Sequence, residues 1–166
     1  MRRIGITGGI GSGKSVVSRL LRIMGYSVYD TDSEAKRLME SSLEVVQKLS
    51  ECFGRDIYHN GRLNRGLLSS RVFGKSDKIV LLNSIVHPVV RFDFYRWSES
   101  LNEEICFVES AILYESRFDE LVDEVWTVTA PEELRISRVR QRSGLTEEEI
   151  KKRMAAQLSE EEKQRR

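Results

Sequence analysis

Gly8-Gly9-Ile10-Gly11-Ser12-Gly13-Lys14-Ser15 decides the fold of this chain: it fits G-x-x-x-x-G-K-[ST], with Gly8, Gly13, Lys14 and Ser15 at the fixed positions. The pattern has a physical basis. Glycines let the backbone curl so that successive N–H groups converge on an anion. A helix opening at Lys14 aims the positive end of its dipole at the same point. In such a loop Lys14 reaches the β- and γ-phosphates of a nucleoside triphosphate, and the Ser15 hydroxyl contacts Mg²⁺. The expected nucleotide contacts run from Gly8 and Gly9 through Ile10, Gly11, Ser12, Gly13, Lys14 and Ser15 to Val16.

The flanks carry the context that such a loop needs. Arg3-Ile4-Gly5-Ile6-Thr7 reads as a short apolar strand, and Val16 to Met24 has helical spacing, with Val17, Leu20, Leu21 and Met24 on one face and Gly25 as its stop. Strand, glycine loop and helix in that order make a phosphate loop. Tyr26-Ser27-Val28-Tyr29 is then a second strand, ending in Asp30-Thr31-Asp32 ahead of a helix over Ser33 to Met39. Ligands of open α/β sheets lie beyond the carboxyl ends of the strands. Asp30 and Asp32 are therefore expected on the rim of the phosphate loop, where a carboxylate takes a hydroxyl proton or helps organise a metal, although one of the two could instead cap the next helix.

Residues 43 to 75 read as a helical insertion of the kind that covers a substrate, with Arg55, Arg62 and Arg65 as either anion contacts or solvated surface. From Lys78 to about Leu101 apolar residues recur at helical intervals, and Pro88 predicts a kink or break near His87. His87 and Arg91 fall one turn apart; the arginine suits a phosphate contact better than the histidine suits catalysis. Ile105 to Ser110 and Val125 to Thr129 have the unbroken apolar look of central parallel strands, and Glu109 closes the first of them on the active rim. Pro131-Glu132-Glu133 opens a helix rich in arginine, and Thr146 to Glu149 is a capping box that starts another. These helices, over 131–158, with Arg135, Arg138, Arg140 and Arg142, resemble either a lid that brings arginines to a transferring phosphate or a charged surface pair.

Composition narrows the classes. A chain of 166 residues with 40% hydrophobic and 32% charged residues suits one globular domain with a small insert. A net charge of +1 argues against a general nucleic-acid binder. No run is long enough to span a membrane, and the opening strand leaves no room for a signal peptide, so a cytoplasmic protein is expected, with a monomer favoured. Cys52 and Cys106 make no metal spacing and read as reduced core thiols. Alternating strands and helices give an α/β fold: a three-layer α/β/α P-loop NTPase core around a parallel sheet, covering 1–166 as a single kinase domain.

Taken together, the motifs resemble the dephospho-CoA kinase family. They are Thr7 to Ser15, then Asp30-Thr31-Asp32 with Ala35 and Arg37, then His87-Pro88-Val89-Val90-Arg91 and Leu113-Tyr114-Glu115. The Arg138 to Arg142 segment and Arg153-Met154-Ala155-Ala156-Gln157-Leu158-Ser159 with Lys163 complete the set. The resemblance implies transfer of a phosphoryl group from ATP, with Mg²⁺, to the ribose 3′-hydroxyl of dephospho-CoA. It implies that Asp32 is the catalytic base and Asp30 its partner, that Lys14, Arg138 and Arg142 assist transfer, and that His87 and Arg91 belong to the acceptor side. Two departures stand out. Ala111-Ile112-Leu113 replaces the family's Pro-Leu-Leu, which implies a loop of altered stiffness. The family also continues past Lys163 into an edge strand and a final helix, whereas this chain ends at Arg166, so the adenine side of the ATP site is expected to be weakened. Two alternatives remain at this level: another small-molecule or nucleoside kinase with the same core, and a nucleotide-binding module left inactive by the short C-terminus.

Overall fold

The structure, a computed structural model, describes residues 1–166. The chain forms two compact units, one made of Met1–Asp30 with Ser98–Arg166 and the other of Thr31–Trp97.

The first unit is built on a parallel sheet. Its strands are β1 (Arg2–Thr7), β2 (Ser27–Asp30), β5 (Ile105–Glu109) and β6 (Glu124–Thr127), in the order β2-β5-β1-β6. Each pairing is parallel, with Ile4 opposite Phe107, Ile6 opposite Trp126 and Val28 opposite Phe107. Ile4 and Ile6 point to one face, where Leu21 of α1 (Lys14–Ile23) and Phe107 close a core with Val17, Val28 and Val128 around it. The expected alternation of a parallel α/β sheet is thus present, with one correction. β6 does not lie inside the sheet but at its edge, and Trp126 is partly exposed there, its Nε1 donating to Glu124 at 2.8 Å.

The buried face of α1 also differs from the expected one. Lys14, Ser18 and Leu21 are buried while Leu20 and Met24 are exposed. The loop dictates this. Lys14 has to turn inward to serve the loop, which rotates positions 14, 18 and 21 toward the sheet, and the small Ser18 lets the helix sit close.

The second unit is helical: α2 (Thr31–Ser41), α3 (Leu43–Phe53), α4 (Arg65–Val72) and α5 from Ser76, which runs on to Ser100. α5 corrects the expectation of a break at Pro88, since the helix passes through it. A proline removes one i→i−4 hydrogen bond, and Ile85, Val86, Val90 and Phe94 are buried on both sides of it, which anchors the turns that flank it. Val45, Leu49, Phe53, Ile57 and Leu63 complete the apolar interior. Between α3 and α4 lies a two-stranded ribbon of β3 (Tyr58–His59) and β4 (Arg62–Leu63). Asn60-Gly61 forms its turn with both φ angles positive, 50° and 76°. An Asn-Gly pair between two short strands is a strong hairpin signal, and reading the segment only as turn-rich passes over it. α6 (Glu132–Ser143), α7 (Glu147–Ala155) and α8 (Glu160–Arg165) return to the first unit. Of the cysteines, Cys106 is buried as expected, but Cys52 is exposed and no core thiol.

Candidate active site

The sheet register places the chemistry. β1 ends at Thr7 and feeds directly into Gly8. Ile6 is in register with Glu109, and Glu109 with Asp30, so two carboxylates stand side by side at the carboxyl edge next to the loop. Asp32 follows two residues after Asp30, exposed in the first turn of α2 rather than ahead of that helix.

Gly13 caps α1 with φ 109°, a left-handed conformation that a side chain would resist. Beyond it, the first turn of α1 turns its N-terminal end toward the loop, a setting that favours an anion, with the Val16 N–H donating to the Gly13 carbonyl at 2.9 Å. Ser15 is exposed in that turn. Lys14 is buried, and its Nζ donates to the carbonyls of Gly8 at 2.9 Å and Gly9 at 3.4 Å. A buried ammonium held on carbonyls of its own loop sits where an arriving phosphate can recruit it. Ser12 Oγ and Thr7 Oγ1 are buried in the same region and have no hydrogen-bond partner. A polyphosphate would supply acceptors that such orphan hydroxyls lack. The Ser15 hydroxyl and the neighbouring carboxylates suit Mg²⁺, which keeps several waters and takes few protein ligands besides phosphate oxygens.

The outer side of the loop is gripped by side chains from α6 to α8. Arg138 Nη1 donates to the carbonyls of Gly11 at 3.4 Å and Ser12 at 3.3 Å. Gln157 Oε1 accepts the Ile10 N–H at 3.1 Å, and Glu160 Oε1 accepts the Gly9 N–H at 2.6 Å. Glu160 is paired in turn with Arg135 at 2.6 Å. Arg142, one turn further along α6, is exposed. Sequence reasoning singled out Arg138 but not Arg135 or Glu160. Nothing in the pattern separates Arg135 from the other arginines of α6, or Glu160 from the acidic run that opens α8.

A second layer fixes this grip. Lys163 is a cation only 1% exposed, and its Nζ donates to the Ala111 carbonyl at 2.8 Å and lies 4.0 Å from Glu115. Burial pushes the Lys163 ammonium below its usual pKa, against the opposing pull of Glu115. Glu115 accepts the Leu158 N–H at 2.7 Å, and Thr127 Oγ1 donates to the Lys163 carbonyl at 3.3 Å. The turn between α7 and α8 is thereby tied to the segment after β5 and to β6, which brings Gln157 and Glu160 to the loop. Between the start of α6 and this turn opens a cleft of about 770 Å³, bordered by Pro131, Arg135, Met154 and Gln157.

His87 and Arg91 belong to the helical unit. They share one face of α5, where burial first and then the charge of Arg91 hold the imidazole below its usual pKa. Arg37 pairs with Glu34 and with Asp93 at 2.7 Å, which raises its already high pKa.

Comparisons with known proteins show the family. The model of the family described as dephospho-CoA kinase matches residues 2–166. A dephospho-CoA kinase of Porphyromonas gingivalis is 46% identical over 157 residues, which are 95% of this chain and 78% of that protein. The crystal structure of TT1252 from Thermus thermophilus superposes with a TM-score of 0.85 at 39% identity, over 99% of this chain and 84% of that one. A dephospho-CoA kinase from Campylobacter jejuni gives a TM-score of 0.69 at 25% identity, covering 98% of this chain and 84% of its own. The readings as a different small-molecule kinase or an inactive nucleotide-binding module are not favoured.

Proposed function

The chain belongs to the dephospho-CoA kinase family, a set of ATP-dependent transferases that phosphorylate dephospho-CoA in coenzyme A synthesis, and from that premise we propose how its residues divide the work. Residues Gly8 to Val16 hold the polyphosphate of ATP. Lys14 leaves the Gly8 and Gly9 carbonyls for the β- and γ-phosphates. The Ser15 hydroxyl, with phosphate oxygens, would hold Mg²⁺, which would supply charge neutralisation at the transferring group.

The acceptor is the ribose 3′-hydroxyl. Asp32 orients it and takes its proton as the oxygen attacks the γ-phosphorus and the bond to the ADP oxygen breaks; Asp30 steadies the same carboxylate pair. Arg138 and Arg142, on the lid over 131–158, stabilise the transferred phosphoryl, while His87 and Arg91 belong to acceptor binding with the helical insertion over 43–75. In this chemistry positioning and electrostatics supply most of the rate. The observation that carries the reading is the register Ile6–Glu109–Asp30, which sets carboxylates beside the strand end that feeds the loop. No helix is long and apolar enough to cross a membrane.

Asp32→Asn tests the assignment. Turnover of dephospho-CoA should fall by about 10²-fold or more, the lower end of general-base effects, while ATP still binds. Turnover near that of the unaltered protein removes Asp32 from the role.

A further inference from the structure

The Gly8–Gly9 and Gly9–Ile10 peptide units are each held at both ends. Their carbonyls accept Lys14 Nζ, and their N–H groups donate to Glu160 and Gln157. Glu160 reaches this position as one half of an ion pair whose side chains are only 7% (Arg135) and 17% (Glu160) exposed. The pair lies so close to the loop that a Cβ at Gly9 would come within 2.2 Å of Arg135 Nη1 and 2.5 Å of Glu160 Oε1. A side chain at Gly9 would displace the ends of Arg135 and Glu160.

We infer that Arg135 and Glu160 are positioning residues for ATP: they buttress the outer side of the phosphate loop, so that its inner side is set for phosphate before the nucleotide arrives. The inference rests on the loop being the ATP site and concerns only what shapes it. A carboxylate pulling on the Gly9 N–H polarises and orients the peptide whose carbonyl holds Lys14. Without it, the 8–9 peptide is free to rotate, and part of the ATP binding energy is spent on ordering the loop again. Arg135 keeps the carboxylate in place and itself needs that partner, because a buried cation left unpaired destabilises its surroundings. Glu160 Oε2 and Arg135 Nε make no hydrogen bond of their own, so the contact of Oε1 with the loop and with the guanidinium is what fixes the pair.

Steady-state kinetics with each substrate varied in turn tests this on Glu160→Ala, Glu160→Gln and the pair Arg135→Gln with Glu160→Gln. The expected result for Glu160→Ala is a KM for ATP raised about tenfold, the worth of one charge-assisted hydrogen bond. The KM for dephospho-CoA should stay within about twofold, since that substrate does not depend on the outer side of the loop. Glu160→Gln, which still offers an oxygen to Gly9, should lose less. The paired variant, which leaves no unmatched buried charge, should fall between Glu160→Gln and the unaltered protein. If Glu160→Ala does not fold, Glu160→Gln decides by the same split. An unchanged KM for ATP, or equal rises for both substrates, overturns the inference. So does a fall in the KM for ATP, which would make Glu160 a competitor of the nucleotide. Loss of ATP binding on Lys14→Ala tests the ATP site itself and is independent of these outcomes.

Discussion

The phosphate loop of the first unit and the interior of the second hold their form by different means. Around the phosphate loop, polar side chains do the holding: buried Lys14 on two carbonyls, half-buried Glu160 and Gln157 on two N–H groups, and exposed Arg138 on two more carbonyls. In Thr31–Trp97 apolar side chains fill the interior, from Val45 and Leu49 to Phe94, while the ion pairs Arg37–Asp93, Arg65–Glu40 and Arg71–Asp56 lie toward the surface. Polar contacts are directional and fix atoms to a fraction of an ångström; apolar packing fixes volume and tolerates sliding. A donor site that must grip one polyphosphate needs the first kind of order. The helical unit Thr31–Trp97 has the second kind.

Substitutions can break this contrast. The largest effect is expected from Lys14→Ala, which should lower ATP-dependent turnover by about 10³-fold, comparable to losing a principal electrostatic group, with ATP affinity impaired as well. Its thermal midpoint should hold or rise, because a buried ammonium is removed. A large drop in the midpoint would mean that Lys14 supports the fold and not only the ligand. Phe94→Ala should show the reverse. The side chain is fully buried and packs on Trp97 with ring centroids 6.0 Å apart. Denaturant unfolding should register a loss of about 3–5 kcal/mol, while the KM for ATP stays close to that of the unaltered protein. A weakened KM for ATP would collapse the distinction between the units.

The smallest effect sharpens it. His87 titrates below its unfolded value, so the unfolded chain binds the extra proton first as pH falls from about 6.5. Stability should therefore decline on acidification through that window and recover as pH rises. His87→Asn should flatten this part of the stability–pH curve; an unchanged slope would show that other groups carry it.

The same contrast governs what could be read from the sequence. The loop, its strand and its helix are written in a spacing that only a phosphate site requires, and they fold as read. The family likeness singled out Arg138 and Gln157, and both side chains reach the loop. The burial of α1 was misread because periodicity alone gave Leu20 and Met24 to the core, whereas the inward demand of Lys14 sets the rotation of the helix. Pro88 was overweighted: a local helix breaker yields when buried residues anchor both flanks. Arg135 and Glu160 were illegible, since two charged residues 7% and 17% exposed look, in sequence, like any pair from a charged surface.

The parallel sheet has a consequence for how the molecule comes into being. β1 is made well before its partners, since Ile4 pairs with Phe107 on one side and Glu124 on the other. No strand of the sheet can find its neighbour until most of the chain has been made, so closure of a very long loop precedes any pairing. The helices of Thr31–Trp97, built from near neighbours in sequence, can form while β1 waits. During that wait an apolar strand and its glycine loop stand without partners. The newborn chain is therefore most vulnerable to association with other chains before residue 109 has emerged.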